Sequence, residues 1–243
     1  MTGPRGAMPT PLICLPFAGA GTSYYHAWRP LCGDRFDIRP GLLPGRERRV
    51  DVEPMRDVHA AVDDLLPTLA GAGEVVLFGH CLGALIAFEL AHRLVAEPDV
   101  TVAALFVSGA AAPAEERSLG ATGLPDDAFL DRVAEFAGVT DDAMFDPEMR
   151  ELILPTLRAD VEMFEHYVPG TSELLPVPVT AVVGRDDALV PLEKAAGWSA
   201  STSKDFALFD LPGGHIYLTD SVEQVLSLID VTVHTGGLGE PRI

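Results

Sequence analysis

Gly79-His80-Cys81-Leu82-Gly83 sets a thiol between two glycines where an apolar run, EVVLFGH (74–80), gives way to a strongly helical one, LGALIAFELAHRLV (82–95). A residue raised on so tight a strand-to-helix turn has the context of a nucleophile elbow, where glycines leave room beside the reacting atom. The following helix turns its positive N-terminus toward a thiolate and its first backbone N–H, that of Leu82, toward an oxyanion growing on an attacked carbonyl. A buried structural cysteine would need neither both glycines nor the strand-helix junction.

A nucleophile of this kind requires a base, and the base an orienting carboxylate; in this strand-helix plan they follow in the order nucleophile, acid, histidine. The stretch VVGRDDALV (182–190) supplies two acids after an apolar run. Its G-x-x-D-x-x-V pattern selects Asp187, with Asp186 as the alternative. His215, on the Gly-rich loop of LPGGHIYL (211–218), is the base. His26, His59, His92, His166 and His234 fall on helical or terminal segments, and His80 lies inside the elbow. A second oxyanion donor should come from the loop after the first strand, where PFAGAG (16–21) offers the backbone N–H of Phe17 or Ala18.

The elements that must carry these residues are legible from periodicity. Buried strands are expected at 11–17, 36–45, 74–80, 101–109, 177–184 and 205–213, with helices at 57–70, 82–95, 191–200 and 221–233. Alternating strands and helices imply an α/β fold, a mostly parallel sheet covered on both faces, in one domain over 1–243. The segment from about 111 to 175 breaks the alternation with helical patterns carrying Phe129, Phe136, Met144, Phe145, Met163 and Phe164. It reads as an inserted helical lid that closes an apolar tunnel and excludes water. The Gly-rich tail, about 234–243, is expected to be disordered.

Composition narrows the classes of function. Three cysteines, Cys14, Cys32 and Cys81, match neither a disulfide framework nor a zinc site, so reduced thiols and no metal are expected. A net charge of −19 opposes binding to nucleic acid or to an anionic membrane. Absence of an apolar run of about 20 residues or of a signal-like start points to a cytoplasmic protein.

The motif set resembles the type II thioesterases that accompany polyketide synthases and nonribosomal peptide synthetases. The matching pieces are LICLPFAGAGTSYYHAW (12–28), LPGRERR (43–49), FGHCLGALIAFELA (78–91), LFVSGAAAP (105–113), LRAD (157–160), GRDD (184–187) with GW (197–198), and GGHIYL (213–218). They run in order over nearly the whole chain. The resemblance implies an α/β-hydrolase fold with a helical lid and a triad of Cys81, Asp187 and His215. It implies an acyl thioester delivered on a phosphopantetheine arm by an acyl or peptidyl carrier domain. That arm belongs to the carrier, so the enzyme needs no cofactor of its own.

Cys81 departs from the serine usual in that family. Passing an acyl group from pantetheine sulfur to cysteine exchanges one thioester for another and preserves its activation, which suits transfer to carbon rather than to water. In this respect the chain resembles the Dieckmann cyclases of tetramic-acid pathways, which release a β-ketoacyl-aminoacyl chain by carbon–carbon bond formation from a Cys, Asp, His triad. Three alternatives remain open: an editing thioesterase with a native or introduced cysteine, a dienelactone-hydrolase-like enzyme, and a non-catalytic carrier-binding protein. Because carrier domains are acidic like this chain, docking should use the basic cluster Arg46, Arg48 and Arg49, with Arg29 as a further candidate.

Overall fold

In the computed structural model, which describes residues 8–137 and 147–234, six strands form one sheet in the order β2-β1-β3-β4-β5-β6. They are β1 (Thr10–Leu15), β2 (Phe36–Pro40), β3 (Gly73–His80), β4 (Val100–Ser108), β5 (Val179–Gly184) and β6 (Phe206–Leu211). Every adjacent pair is parallel. An all-parallel sheet must be covered on both faces, which is why β3 from Val75 onward and the whole of β5 are buried and read as unbroken apolar runs.

One face is covered by α3 (Val58–Leu65) and α4 (Leu82–Leu94), whose Val62, Leu65, Leu85 and Leu90 join Leu77 and Leu105 of the sheet in the main core. The other face carries α1 (Thr22–His26), α2 (Arg29–Cys32) and α8 (Val222–His234), with Tyr25, Cys32, Val225 and Ile229 packed on Phe78 and Phe106. Asp57 starts α3 by accepting the Ala60 N–H at 2.8 Å, an N-cap bond. The helix expected to reach 70 ends as an α-helix at Leu65 and continues as a 3-10 turn, because Pro67 has no N–H for the α pattern. The second strand stops at Pro40 rather than at 45, and the helix expected over 191–200 divides into α7 (Leu192–Ala196) and a 3-10 turn, Gly197–Ser201. The short α1 and α2 had no sequence signal strong enough to be predicted.

Two helices, α5 (Asp126–Ala137) and α6 (Pro147–Glu165), are inserted between β4 and β5. Phe129, Leu130, Leu154, Leu157 and Val161 form a small core of their own with Ala121. Met163 and Phe164, expected in the lid, instead pack into the main core. Met144, Phe145 and the tail beyond His234 lie outside the described residues, while His234 itself ends α8. Among the described residues no helix is long and apolar enough to cross a membrane.

Register explains where the chemistry gathers. Leu15 pairs with Gly79, His80 with Ser108, and Gly184 with Leu211. The loops after β1, β3, β4, β5 and β6 therefore leave the same carboxyl edge of the sheet, the edge at which open parallel sheets bind ligands.

Candidate active site

Cys81 stands between β3 and α4 with φ 52° and ψ −117°, a conformation costing a non-glycine residue on the order of 1–3 kcal/mol. The surroundings enforce it. A Cβ on Gly79 would lie 2.0 Å from the Gly83 carbonyl oxygen, and one on Gly83 would lie 2.2 Å from that of Leu15. The Cys81 N–H donates to the Ser108 carbonyl at 2.8 Å, tying the turn to β4. The thiol is partly exposed, and Leu82 begins the helix behind it.

Asp187 and His215 are brought together from separate loops. His215 Nδ1 lies 2.8 Å from Asp187 Oδ2, and Asp187 Oδ1 accepts the N–H groups of Leu189 and Val190 at 2.9 and 3.0 Å. The two loops touch so closely that a Cβ on Gly184 would meet the Gly214 oxygen at 2.2 Å. Asp186 is exposed and reaches the base loop only through its backbone N–H, which donates to the Gly213 carbonyl. Burial works against a charged His215, but the negative charge of Cys81 and the hydrogen bond to Asp187 outweigh it and push the imidazole up to about 10. Nε2 of His215 is buried and close enough to Cys81 to feel that charge, short of a well-formed hydrogen bond.

Phe17 and Ala18 open a turn closed by the Ala20 N–H donating to the Phe17 carbonyl at 3.0 Å. Gly19 has φ 77° and Ala18 is not left-handed, so the turn is type II. Tyr25 holds the end of β1 below it, donating its hydroxyl to the Leu15 carbonyl at 2.9 Å.

Three features escaped the sequence reading. The first is a buried ion pair: Arg46 donates to both Asp160 oxygens at 2.9 and 2.7 Å, and to the Ala20 carbonyl at 2.8 Å. Burial raises the Asp160 carboxyl, with the Arg46 hydrogen bond opposing it. Arg46 belongs to LPGRERR and Asp160 to LRAD, two motif pieces whose pairing is the signal that could have exposed it. The second is His80, fully buried, with Nδ1 2.8 Å from Ser108 Oγ, which lies 2.5 Å from the Tyr217 hydroxyl. Its ring packs 5.1 Å from that of His215 and 5.6 Å from Phe17. Burial and the neighbouring His215 charge keep it well below the ordinary histidine value, so it stays neutral. The third is Trp198, whose indole donates to the Ala110 carbonyl at 2.8 Å and locks the loop after β4.

The expected docking arginines do not form one surface. Arg46 is 8% exposed and committed to Asp160, so it offers no charge to a partner. Arg49 pairs with Asp64 at 2.5 Å, which neutralises it. Arg29 lies on α2, on the sheet face opposite α3 and α4, and donates to the Ile38 carbonyl. Within the 46–49 cluster Arg48 alone is exposed with no acidic partner among the described residues, and Arg29, exposed as well, lies on the other face of the sheet.

Comparison with known proteins matches residues 10–232 to the thioesterase domain family. The chain is 32% identical over 242 residues to the thioesterase PikA5 of Streptomyces venezuelae, covering 96% of this chain and 84% of that one. It is 29% identical over 225 residues to the gramicidin S biosynthesis protein GrsT of Aneurinibacillus migulanus, covering 90% and 86%. Among solved structures it is similar to the type II thioesterase BorB from the borrelidin biosynthetic cluster, with TM-score 0.84, 31% identity and 96% of each chain covered.

Proposed function

Since this chain belongs to the thioesterase family, we propose that it is a chain-release enzyme that takes a carrier-borne β-ketoacyl-aminoacyl group onto Cys81 and cyclises it to a tetramic acid. The observation that carries this reading is the sulfur nucleophile, set in the strained elbow and facing a histidine held charged. His215 holds the proton given up by the Cys81 thiol, the thiolate attacks the thioester carbonyl, and the pantetheine sulfur leaves with that proton, so that His215 becomes neutral. The neutral imidazole then removes the acidic proton between ketone and amide, and the carbanion attacks the Cys81 thioester. The ring departs and the cysteine sulfur recovers its proton. Backbone N–H groups of Leu82 and of Phe17 or Ala18 stabilise both tetrahedral oxyanions. The enzyme supplies no cofactor, and its partner is the carrier domain.

The reacting carbon belongs to the acylated chain itself, so closure is intramolecular and outruns a bimolecular attack by water. Purified protein given a synthetic β-ketoacyl-aminoacyl thioester should release the ring, read by mass spectrometry; release of the linear acid alone would overturn the cyclase reading. Hydrolytic editing of carrier-bound acyl groups is the second reading, favoured by the thioesterase names of relatives that match most of this chain. Cys81→Ser separates the two, because an editing enzyme should gain hydrolysis and a cyclase should lose ring formation.

A further inference from the structure

We propose that Asp160, on inserted helix α6, is a positioning residue for the oxyanion hole: its carboxylate fixes the turn that carries the Phe17 and Ala18 N–H groups. This rests on the acyl-thioester reading of the site and goes beyond it. The Gly19 N–H donates to Asp160 Oδ2 at 2.8 Å, across 141 residues of sequence. That N–H belongs to the central peptide of the turn formed by Phe17, Ala18, Gly19 and Ala20. The orientation of this peptide is what separates a type II from a type I turn, so an acceptor fixed above it decides which turn forms. Asp160 thus fixes the peptide on the far side of Ala18, and with that end of the residue pinned its near side, which carries the Ala18 N–H, has less freedom to turn.

Two further contacts bring the same helix to the same turn. Leu157 of α6 packs so close to Gly19 that an added Cβ would lie 3.1 Å from its Cδ1. Ala18 packs against the small core formed by Phe129, Leu154, Leu157 and Val161. Arg46 completes the frame by bonding Asp160 on one side and the Ala20 carbonyl on the other. The ion pair therefore does more than join α6 to the body, because its acceptor oxygen is shared with the turn. The oxyanion hole is complete while α6 is seated.

The test replaces the buried pair by apolar residues, Arg46→Met with Asp160→Leu, since such exchanges commonly preserve or raise stability while removing the Gly19 acceptor. Acylation of Cys81 by a carrier-bound acyl thioester is followed by mass spectrometry under single-turnover conditions. The expected result is a rate about 10- to 100-fold below wild type with KM within about twofold. A trifluoromethyl ketone that forms a tetrahedral adduct should lose affinity in parallel, and an unreactive amide analogue should not. If rate and adduct affinity both stay within about twofold of wild type, or if substrate and amide affinities fall as much as the rate, the inference is wrong. Should the double variant fail to fold, Arg46→Leu with Asp160→Met, which likewise removes the Gly19 acceptor without stranding a charge, is read by the same ratio of adduct to amide affinity and decides. Wild-type protein whose Cys81 is never acylated would overturn the functional reading instead, which keeps the two failures apart.

Discussion

The two halves of the site are held by different physics. Cys81, Asp187 and His215 rest on backbone-to-backbone approaches inside the sheet edge: Gly79 against Gly83, Gly83 against Leu15, Gly184 against Gly214. The Phe17–Ala20 turn, the proposed oxyanion side, rests on side chains from distant segments, the Arg46 guanidinium and the Asp160 carboxylate, shielded from water. A frame of backbone contacts tolerates few substitutions but tracks the sheet rigidly. A frame built on one buried ion pair depends on both partners, and losing one leaves an uncompensated charge.

The largest effect should come from the first half. Asp187→Asn keeps the volume but can present an N–H toward His215 Nδ1, forcing the wrong tautomer, and should lower kcat by about 10³- to 10⁴-fold with the fold intact. Asp186→Asn should leave kcat nearly unchanged; the opposite ranking of the two would reassign the acid and undo the comparison.

The second half should break in stability rather than in chemistry alone. Arg46→Ala leaves Asp160, whose side chain is 0% exposed, buried and unpaired, and is expected to cost about 3–5 kcal/mol in urea unfolding. Arg46→Met with Asp160→Leu should recover most of that loss. If Arg46→Ala costs less than about 1 kcal/mol, the pair is no structural counterpart to the glycine contacts.

A subtler probe of the first half is the proton on His215. Its value is raised from the ordinary 6.5 to about 10, so proton binding stabilises the folded chain fully below about 6.5, and that contribution fades as the pH rises through about 10. Cys81→Ser removes the foremost raising influence and leaves burial opposed only by Asp187, so the His215 midpoint should fall. Titration of the imidazole proton by NMR measures both values; an unchanged midpoint would mean that sulfur and imidazole do not form a charge pair.

How much of this was legible follows the same division. Cys81, Asp187 and His215 each sit in one strand-to-loop signature whose residues are neighbours in sequence, so their gathering at one edge could be read together with the parallel sheet that aligns them. Arg46 was misassigned to a docking surface because its partner lies 114 residues away and a basic cluster looks solvated until its acids are located. The seat of His80 on Ser108 and Tyr217 was invisible for the same reason, since three segments meet there. The short helices α1 and α2 are set by tertiary packing of Tyr25 and Trp28, which leaves no periodic pattern to detect.

The smallest expected effect concerns Arg48, the member of the basic cluster that the structure leaves free to meet a partner. It is exposed beside Val50 and Val52, which are 54% and 45% exposed, on a loop anchored to the oxyanion side by Glu47 hydrogen bonds to Thr22 and Ser23. Asp51 and Glu53 share that loop and offset its charge, so an acidic carrier would gain only modest attraction there, weakened further by salt. Arg48→Glu should raise KM for a carrier-bound thioester about two- to fivefold and leave a small free thioester unaffected. Equal effects on both substrates would place Arg48 with the framework of the oxyanion turn rather than with partner recognition. The boundary between the ion-paired half of the site and the surface that meets the carrier would then move outward past the 47–52 loop.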